Sequence, residues 1–231
     1  MGQLVLQKHD TVVVDDILDI ATFDALSSEV ATGEYHSVHA QRWDKAWRLW
    51  DGNPFRGHPV YYDPHGAFDG VGGRYPTNSS VDVLIETIRA VTQQFPTLAG
   101  AEGIDWAAIF LAPWIYPVGS ALSAHCDGGK YSGSFTFFAH PRWHMNWGGE
   151  LLILPPPTGP TTGPTGAGIP WLSEDAGAGA TSDLGVATCV FPRPNRLVVL
   201  GPERAHMIRR VDQNAGAHVR ASIAGFFLRP V

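Results

Sequence analysis

The segment SAHCDGG, residues 123–129, places an imidazole and a carboxylate one residue apart among small side chains. If the apolar run before it ends as a strand, His125 and Asp127 project to the same face and Cys126 points away, because alternate residues of a strand share a face. Taken alone, such a pair is more typical of an exposed loop than of a metal site. A metal site therefore requires a third ligand from elsewhere in the chain.

His206 is the best candidate for this third ligand. It follows the apolar run Arg196–Leu200 and a short turn in the stretch RLVVLGPERAH. Two imidazoles and one carboxylate on one face of a metal leave the opposite positions open, an arrangement typical of non-haem Fe(II) oxygenases. The sequence therefore predicts a metal centre formed by His125, Asp127 and His206.

Arg220 lies fourteen residues beyond His206 in the apolar stretch VRASIAGFF. A cation in such a strand is costly unless it meets an anion. Its planar fork suits a carboxylate held by two parallel hydrogen bonds, and Ser222 would face the same way and add another donor. The alternative is an arginine of an edge strand that pairs with Glu203 or Asp212.

The N-terminal part of the chain predicts two helices that support these residues. The first follows a short strand at Thr11–Val14, and the second is capped by Ser80 and ended by Pro96. Their apolar faces repeat at helical spacing, with Ile20, Phe23, Leu26 and Val30 in the first helix and Leu84, Ile88, Val91 and Phe95 in the second. The Gly- and Pro-rich segment between them predicts loop with one strand.

After Gly103 the chain changes to short apolar runs bounded by Gly, Pro and Asn, which is typical of a β-sandwich or barrel. The low-complexity stretch at about 155–185 has too few core-forming residues to fold by itself and predicts a mobile surface loop. We therefore expect a single domain over 1–231, with helical support over about 1–100 and a β-rich core over about 101–231.

These residues, in this order, resemble the Fe(II)/2-oxoglutarate-dependent oxygenases, and within them the small stand-alone enzymes similar to prolyl-4-hydroxylases. The resemblance rests on the motifs Tyr116-x2-Gly-x2-Leu-x2-His125-x-Asp127, Gly148-Gly149-Glu150-Leu151, His206 and Arg220-x-Ser222. The opening VVVDDILDIATFDAL and the segment from Trp143 to Leu154 are also similar to that branch. The likeness is strongest over Trp106–Pro230.

The resemblance implies a mainly β fold with flanking helices: a double-stranded β-helix (jelly-roll, cupin-like) core supported by N-terminal helices. It also implies that His125, Asp127 and His206 ligate Fe(II). 2-Oxoglutarate would chelate the iron, with its far carboxylate bound by Arg220 and Ser222 and a further contact from Tyr116. O2 is then the second cosubstrate, and ascorbate the expected reductant in vitro.

The resemblance further implies a dioxygenase that oxidises an unactivated C–H bond of a small polar metabolite, by hydroxylation or oxidative cyclisation, in natural-product or antibiotic biosynthesis. Asp127 disfavours halogenation, because halogenating relatives have a small residue there. Phe226 disfavours nucleic-acid demethylation, because that branch has an arginine there. A free amino-acid or protein side-chain hydroxylase is the alternative enzyme, and a catalytically inert jelly-roll binding protein is the alternative from another class.

Three tryptophans, Trp43, Trp47 and Trp50, fall at helical spacing. They predict either one face of a short helix packed on the core or an aromatic lid over the site. The lid would suit a sugar-containing substrate such as an aminoglycoside or oligosaccharide, with Asp44, Arg48 and Asp51 available for its polar groups.

Composition limits the partners. The formal charge is −6 with 16 basic residues and no basic run, which argues against nucleic-acid binding. The two cysteines fit a reducing compartment, and no apolar stretch has the length of a signal peptide core or membrane span. We expect a cytoplasmic protein with a small-molecule partner, and leave its oligomeric state open.

The remaining histidines and Cys126 have simpler interpretations. His140 and His144 are four residues apart, but Pro141 and the strand pattern argue against a helical metal pair, so we expect pocket lining or structure. His36 and His39 lack a carboxylate at metal spacing and are expected to be exposed. Cys126 is expected to pack away from the metal.

Overall fold

The computed structural model describes residues 2–39, 47–155 and 185–230. Three α-helices lie in these ranges: α1 (Ile20–Thr32), α2 (Ser80–Gln94) and the short α3 (Pro96–Ala99). The strands of the described ranges are, in chain order, β1 (Gln3–Lys8), β2 (Thr11–Asp15), β3 (Tyr35–Ser37), β4 (Phe55–Gly57), β5 (Val60–Tyr62), β6 (Gly73–Arg74), β7 (Ala108–Tyr116), β8 (Leu122–His125), β9 (Tyr131–Phe138), β10 (Leu151–Ile153), β11 (Thr188–Val190), β12 (Leu197–Leu200), β13 (His206–Ile208) and β14 (Arg220–Leu228).

The strands form two sheets. The major sheet runs in the order β1-β2-β12-β9-β14-β7-β4-β3, with β5 also paired to β7 and β6 to β5. The minor sheet runs β11-β10-β13-β8, and all its pairs are antiparallel. This arrangement confirms the predicted fold class, a jelly-roll core with supporting helices.

The strand β14 shows how the major sheet separates two environments. Ile223 and Phe227 point to the side covered by the helices, where they join a core that includes Leu26 and Ile88. Arg220 and Ser222 alternate to the inner side, which faces the minor sheet. The two faces of one strand therefore carry the apolar support and the polar site.

The helix ends differ in detail from the sequence prediction. Ile20 was expected on the buried face, yet it is the first residue of α1 and is 80% exposed. The N-cap of α2 is Ser79, whose hydroxyl accepts from the Val81 amide, and Ser80 is the first helical residue. Pro96 ends α2 and then opens α3, because proline is tolerated at the first helical position.

The segment between α1 and α2 is more regular than predicted. Where the sequence predicted loop with one strand, β4, β5 and β6 are all present within it. β4 and β5 each pair with β7, so they add to the edge of the major sheet beside the inner pocket. The strand β1 was also missed, because its residues are mostly exposed and show no apolar alternation.

Two other predictions concern the low-complexity loop and membrane-spanning segments. Most of the predicted mobile loop, residues 156–184, lies outside the described residues. The described helices include none that is both long enough and apolar enough to cross a membrane.

We expect Gly225→Ala to destabilise the fold by about 1–3 kcal/mol, the usual cost of overpacking. A Cβ at Gly225 would lie 2.2 Å from the Phe110 carbonyl oxygen and 2.5 Å from Cζ of Phe135. Chemical denaturation measures the effect. Gly73→Ala is the matched control, because its Cβ would make only an ordinary contact, 3.4 Å from Val60; equal destabilisation by both substitutions would contradict the prediction.

Candidate metal centre

Two neighbouring strands of the minor sheet bring two histidines together. His125 ends β8 and His206 begins β13, and the antiparallel register pairs them directly, with ring centroids 4.4 Å apart. Asp127 follows two residues after His125. Its carboxylate oxygens lie 3.8 Å from Nε2 of His125 and 4.0 Å from Nε2 of His206.

Backbone carbonyls orient both imidazoles. Nδ1 of His125 lies 2.9 Å from the Ser123 oxygen, and Nδ1 of His206 lies 2.8 Å from the Arg204 oxygen. Because a carbonyl only accepts, each Nδ1 carries the proton and each Nε2 presents its lone pair toward Asp127. Burial and the neighbouring His206 ring lower the pKa of His125 to about 4, so this ring is neutral at physiological pH.

This cluster fits a divalent metal. One ligand atom from each of the three residues lies within 4.8 Å of the others, so a single ion can contact all three. The donor set, two imidazole nitrogens and one carboxylate, is the one found with Fe(II) in non-haem oxygenases. The structure therefore brings together the three residues that the sequence predicted as a group.

Arg220 lies completely buried on the inner face of β14. Its Nε donates to the Gly149 oxygen at 2.7 Å and its Nη1 to Oγ of Ser222 at 3.1 Å. The rings of Tyr116 and Phe138 flank the guanidinium, with centroids 5.3 and 4.9 Å from Cζ. Burial lowers the pKa of Arg220 to about 10, which leaves it a cation at neutral pH.

No carboxylate of the described ranges lies within ion-pair distance of this cation, and Glu150 attracts it only from farther away. The ion pairs found there do not include Arg220, so the alternative pairing with Glu203 or Asp212 is wrong for this structure. Its Nη2 is buried without any hydrogen-bond acceptor. A buried guanidinium nitrogen in this state favours an anionic ligand that accepts from it.

Tyr116 lies directly opposite Arg220 in the pairing of β7 with β14. Its ring is buried, and its hydroxyl accepts from Nε1 of Trp47 at 3.4 Å. Burial raises the pKa of this phenol to about 12, so it stays protonated and can donate. The contact of Tyr116 with a cosubstrate stays a prediction.

Gly149 is a residue of this pocket whose role sequence reasoning missed. It adopts a positive φ of 73°, and a Cβ there would lie 2.9 Å from Cδ of Arg220. Its carbonyl accepts from Arg220, as described above. The Gly148-Gly149 pair was visible in the sequence, but only the fold shows that it faces this arginine.

A second group that sequence reasoning missed holds the strand carrying His125. The buried carboxylate of Asp51 accepts from the amide of Ser123 at 3.1 Å and from its hydroxyl at 2.7 Å. It also accepts from the Arg48 amide at 2.8 Å. Asp51 therefore fixes the residue whose carbonyl orients His125, and the hypothesis that Asp51 is available for substrate polar groups is wrong.

Of the three tryptophans, the structure describes Trp47 and Trp50, and only Trp47 packs on the core as the first hypothesis expected. Trp47 is buried and stacks on Trp114 with centroids 4.7 Å apart, which makes it part of the core. Trp50 is 47% exposed and donates to Oγ of Ser123 at 3.1 Å. The two rings therefore do not form one face, and Trp43 and Asp44 lie outside the described residues.

We expect Asp51→Asn to weaken metal binding about tenfold, a cost typical of groups that hold metal ligands in place. The asparagine oxygen can still accept from the two backbone amides, but its NH2 would replace the oxygen that accepts from Oγ of Ser123, so this hydrogen bond is reversed and the negative charge is lost. Titration with Mn(II) measures the affinity. The control is Asp19→Ala, which removes the cap of α1 and costs stability away from the site; an equal loss of metal affinity there would show that stability alone explains the effect.

The other histidines have structural positions. Both ring nitrogens of buried His140 lie within 2.9 Å of carbonyl oxygens of Ala221 and Pro192, so it joins backbone segments. His144 is exposed and caps a short 3-10 helix, Met145–Trp147. His36 is exposed as expected, whereas His39 is half-buried with Nε2 near the Gly52 oxygen, so its predicted exposure is wrong. Cys126 is exposed, so the expectation that it packs is wrong.

Comparisons with solved structures give several likenesses along nearly the whole chain. A Pseudomonas putida prolyl-4-hydroxylase matches with a TM-score of 0.60 at 18% identity, covering 96% of this chain and 94% of that one. A Trichoplax adhaerens prolyl hydroxylase, in complex with a peptide of the hypoxia inducible factor oxygen degradation domain, matches at 0.59 and 10%, covering 96% and 84%. The epimerase SnoN, in complex with Fe3+, alpha ketoglutarate and nogalamycin RO, matches at 0.56 and 14%, covering 96% and 80%.

No family model matches the sequence, and no curated protein matches it. The likeness therefore lies in the three-dimensional arrangement of strands and helices. The chain has the fold of the prolyl-4-hydroxylase-like 2OG-Fe(II) oxygenase structures.

Proposed function

We propose that this chain is an Fe(II)/2-oxoglutarate-dependent dioxygenase that oxidises an unactivated C–H bond of a small polar metabolite. One observation carries the proposal. A two-histidine, one-carboxylate cluster and a buried guanidinium with a free N–H are held on facing strands of one jelly-roll interior. A metal and a dicarboxylate are the ligands that these two features require.

In this proposal His125, Asp127 and His206 hold Fe(II), and Arg220 and Ser222 bind the far carboxylate of 2-oxoglutarate. Iron and 2-oxoglutarate together supply the oxidising chemistry, which consumes O2 and yields succinate, CO2 and an oxidised substrate carbon. The donor set and the unsatisfied Nη2 of Arg220 support this assignment. In the same proposal Tyr116 donates a hydrogen bond to this cosubstrate, which its protonated, buried hydroxyl supports.

The protein groups supply binding, orientation and exclusion of water. The fixed Nδ1 protons keep both imidazoles in the tautomer that binds a metal. The rings of Tyr116 and Phe138 exclude water from the guanidinium, which strengthens its attraction for a carboxylate. Gly149 leaves the space for this side chain and accepts one of its N–H groups.

We further propose hydroxylation or oxidative cyclisation rather than halogenation, because Asp127 stands where halogenating relatives have a small residue. A place in natural-product or antibiotic biosynthesis is supported by the likeness to SnoN, which comes from nogalamycin biosynthesis. We propose a single domain that acts in the cytoplasm. The free, exposed cysteines Cys126 and Cys189 support a reducing compartment.

A second candidate is a protein side-chain hydroxylase. The likeness to two prolyl hydroxylases, one of them with a bound peptide, favours it. Incubation with a peptide array distinguishes the two functions: the metabolite hypothesis predicts no peptide that gains oxygen. The inert binding protein predicts no change in melting temperature when Mn(II) and 2-oxoglutarate are added.

The decisive experiment incubates the protein with Fe(II), ascorbate, 2-oxoglutarate and candidate metabolites and follows two masses. We expect succinate together with a partner that gains one oxygen or loses two hydrogens. Succinate formation that no metal chelator abolishes, or a complete absence of metal binding, would overturn the proposal.

A further inference from the structure

A cleft of about 620 Å³ opens at the end of the inner face where β14 leaves the sheet. Four aromatic rings line it, Tyr61, Phe68, Phe110 and Tyr131, together with the charged side chains of Lys130 and Arg229. Its volume is within the range of small-molecule sites.

Aromatic contacts join the floor of this cleft into one group. Tyr131 stacks on Phe226 with centroids 4.1 Å apart and planes within 16°. Phe110 stacks on the same Phe226 at 6.1 Å, and Tyr61 meets Phe110 edge to face at 5.2 Å. The cleft therefore offers a continuous aromatic surface held by its own packing.

Tyr131 connects the cleft to the segment that carries Asp127. Phe226 is six residues after Arg220 on β14, and residues an even number apart on a strand lie on the same face. Tyr131 begins β9 only four residues after Asp127, and its amide donates to the Gly128 oxygen at 3.1 Å. Burial and, to a smaller extent, the Asp127 carboxylate raise the pKa of Tyr131, which is consistent with this closeness.

The charges around the cleft are mainly positive. Lys130 and Arg229 take part in none of the ion pairs found among the described residues, and the guanidinium of Arg56 lies 5.1 Å from the Phe110 ring. Arg74 is different, because Asp63 pairs with it at 3.2 Å. Asp69 is the carboxylate of the lining, and it is exposed.

We propose that the prime substrate is a small molecule that joins a flat ring to an anionic group, and that it binds in this cleft. The ring contacts the aromatic surface of Phe110 and Tyr131, and the anion lies at Lys130 and Arg229. This inference rests on the proposed function, because it places the oxidised carbon near Asp127. It is an alternative to the sugar-containing substrate, for which Trp47, buried against Trp114, offers no exposed ring.

Lys130 is the better residue to change. Arg229 also donates to the backbone oxygens of Gly129 and Tyr131, at 3.1 and 3.3 Å, so its loss would disturb the turn itself. The ammonium of Lys130 lies 5.1 Å from the centre of the Tyr131 ring, and the residue is exposed. Its replacement by glutamine removes the charge with little change in length.

The test uses three probes on the full chain loaded with Mn(II) and 2-oxoglutarate: 3-phenylpropionate, its amide, and butyrate. Binding is followed by ligand-detected NMR and by the fluorescence of the protein. We expect 3-phenylpropionate to bind more tightly than either the uncharged amide or the ringless anion. Equal binding of all three, or saturation by none at millimolar concentration, overturns the inference.

Substitutions in the cleft then test whether the probes bind at Lys130 and Tyr131. We expect Lys130→Gln to weaken 3-phenylpropionate binding about three- to tenfold and to leave the amide unaffected, since only the anion meets this charge. We expect Tyr131→Ala to weaken both ring-containing probes about tenfold. Lys8→Gln is the matched control, because Lys8 lies on β1 and donates to Thr188; an effect of this control equal to that of Lys130→Gln would refute the assignment.

The experiment separates this inference from the proposed function. Binding of Mn(II) and 2-oxoglutarate without the ring-and-anion preference would overturn the substrate class and leave the oxygenase intact. Failure of the protein to bind Mn(II) or 2-oxoglutarate would overturn both. In every variant, unchanged affinity for 2-oxoglutarate shows that the fold has been preserved.

Discussion

Replacement of Asp127 by alanine is expected to abolish turnover and most of the metal affinity. The two imidazoles that remain hold Fe(II) poorly, because the carboxylate supplies the only negative charge among the three ligands. We expect loss of succinate formation by at least about a thousandfold, equivalent to about 4 kcal/mol of transition-state stabilisation.

Metal binding is measured separately by thermal melting. Mn(II) at a hundred times its dissociation constant should stabilise the unchanged protein by about 2.7 kcal/mol, and this gain should vanish in Asp127→Ala. Asp24→Ala, on the exposed face of α1, is the control. Full activity of Asp127→Ala would remove this residue from the site.

Replacement of Arg220 by alanine is expected to raise the apparent KM for 2-oxoglutarate about a hundredfold. Hydrogen bonds to charged groups contribute about 1.5–3 kcal/mol each, and the substitution removes the cation and its free Nη2 together. The KM for the prime substrate should change far less, because we propose Arg220 as a ligand of 2-oxoglutarate alone. Arg220→Lys should recover only part of the loss, since an ammonium cannot form two parallel hydrogen bonds with a carboxylate.

Steady-state kinetics with each substrate varied in turn measures this difference. Arg209→Ala is the matched control, because the Arg209 side chain is 57% exposed. An unchanged KM for 2-oxoglutarate in Arg220→Ala would refute the assignment of Arg220. An equal rise in both KM values would indicate a general loss of structure.

The sequence could predict those parts of the site that depend only on the two-residue alternation of side chains along one strand. The alternation of β14 placed Arg220 and Ser222 on one face, and the spacing in SAHCD placed His125 with Asp127. The pairing of His206 with His125 depends on a register between distant strands. The sequence named His206 as the best candidate for the third ligand, but no local period places it opposite His125.

The parts that could not be predicted depend on contacts between irregular segments. Asp51 lies in a stretch without periodicity, and nothing local shows that its carboxylate meets Ser123. Trp47 and Trp50 have helical spacing, but the described chain there forms only one 3-10 turn, Leu49–Asp51. The prediction that these two rings lie on one helix face is therefore wrong. Ile20 fitted the apolar repeat of α1, yet it lies at the helix end, beyond the surface that the sheet covers.

The register that places His125 opposite His206 also has a consequence for motion. β8 is a four-residue strand at the edge of the minor sheet and, among the described strands, pairs only with β13. An ion held by both rings ties the open end of this edge to its neighbour, so fraying of β8 must release the ion first. The amides of β8 should then exchange with solvent more slowly as the metal concentration rises. The proposed ion would thus both serve the oxidation and limit the local opening of this strand.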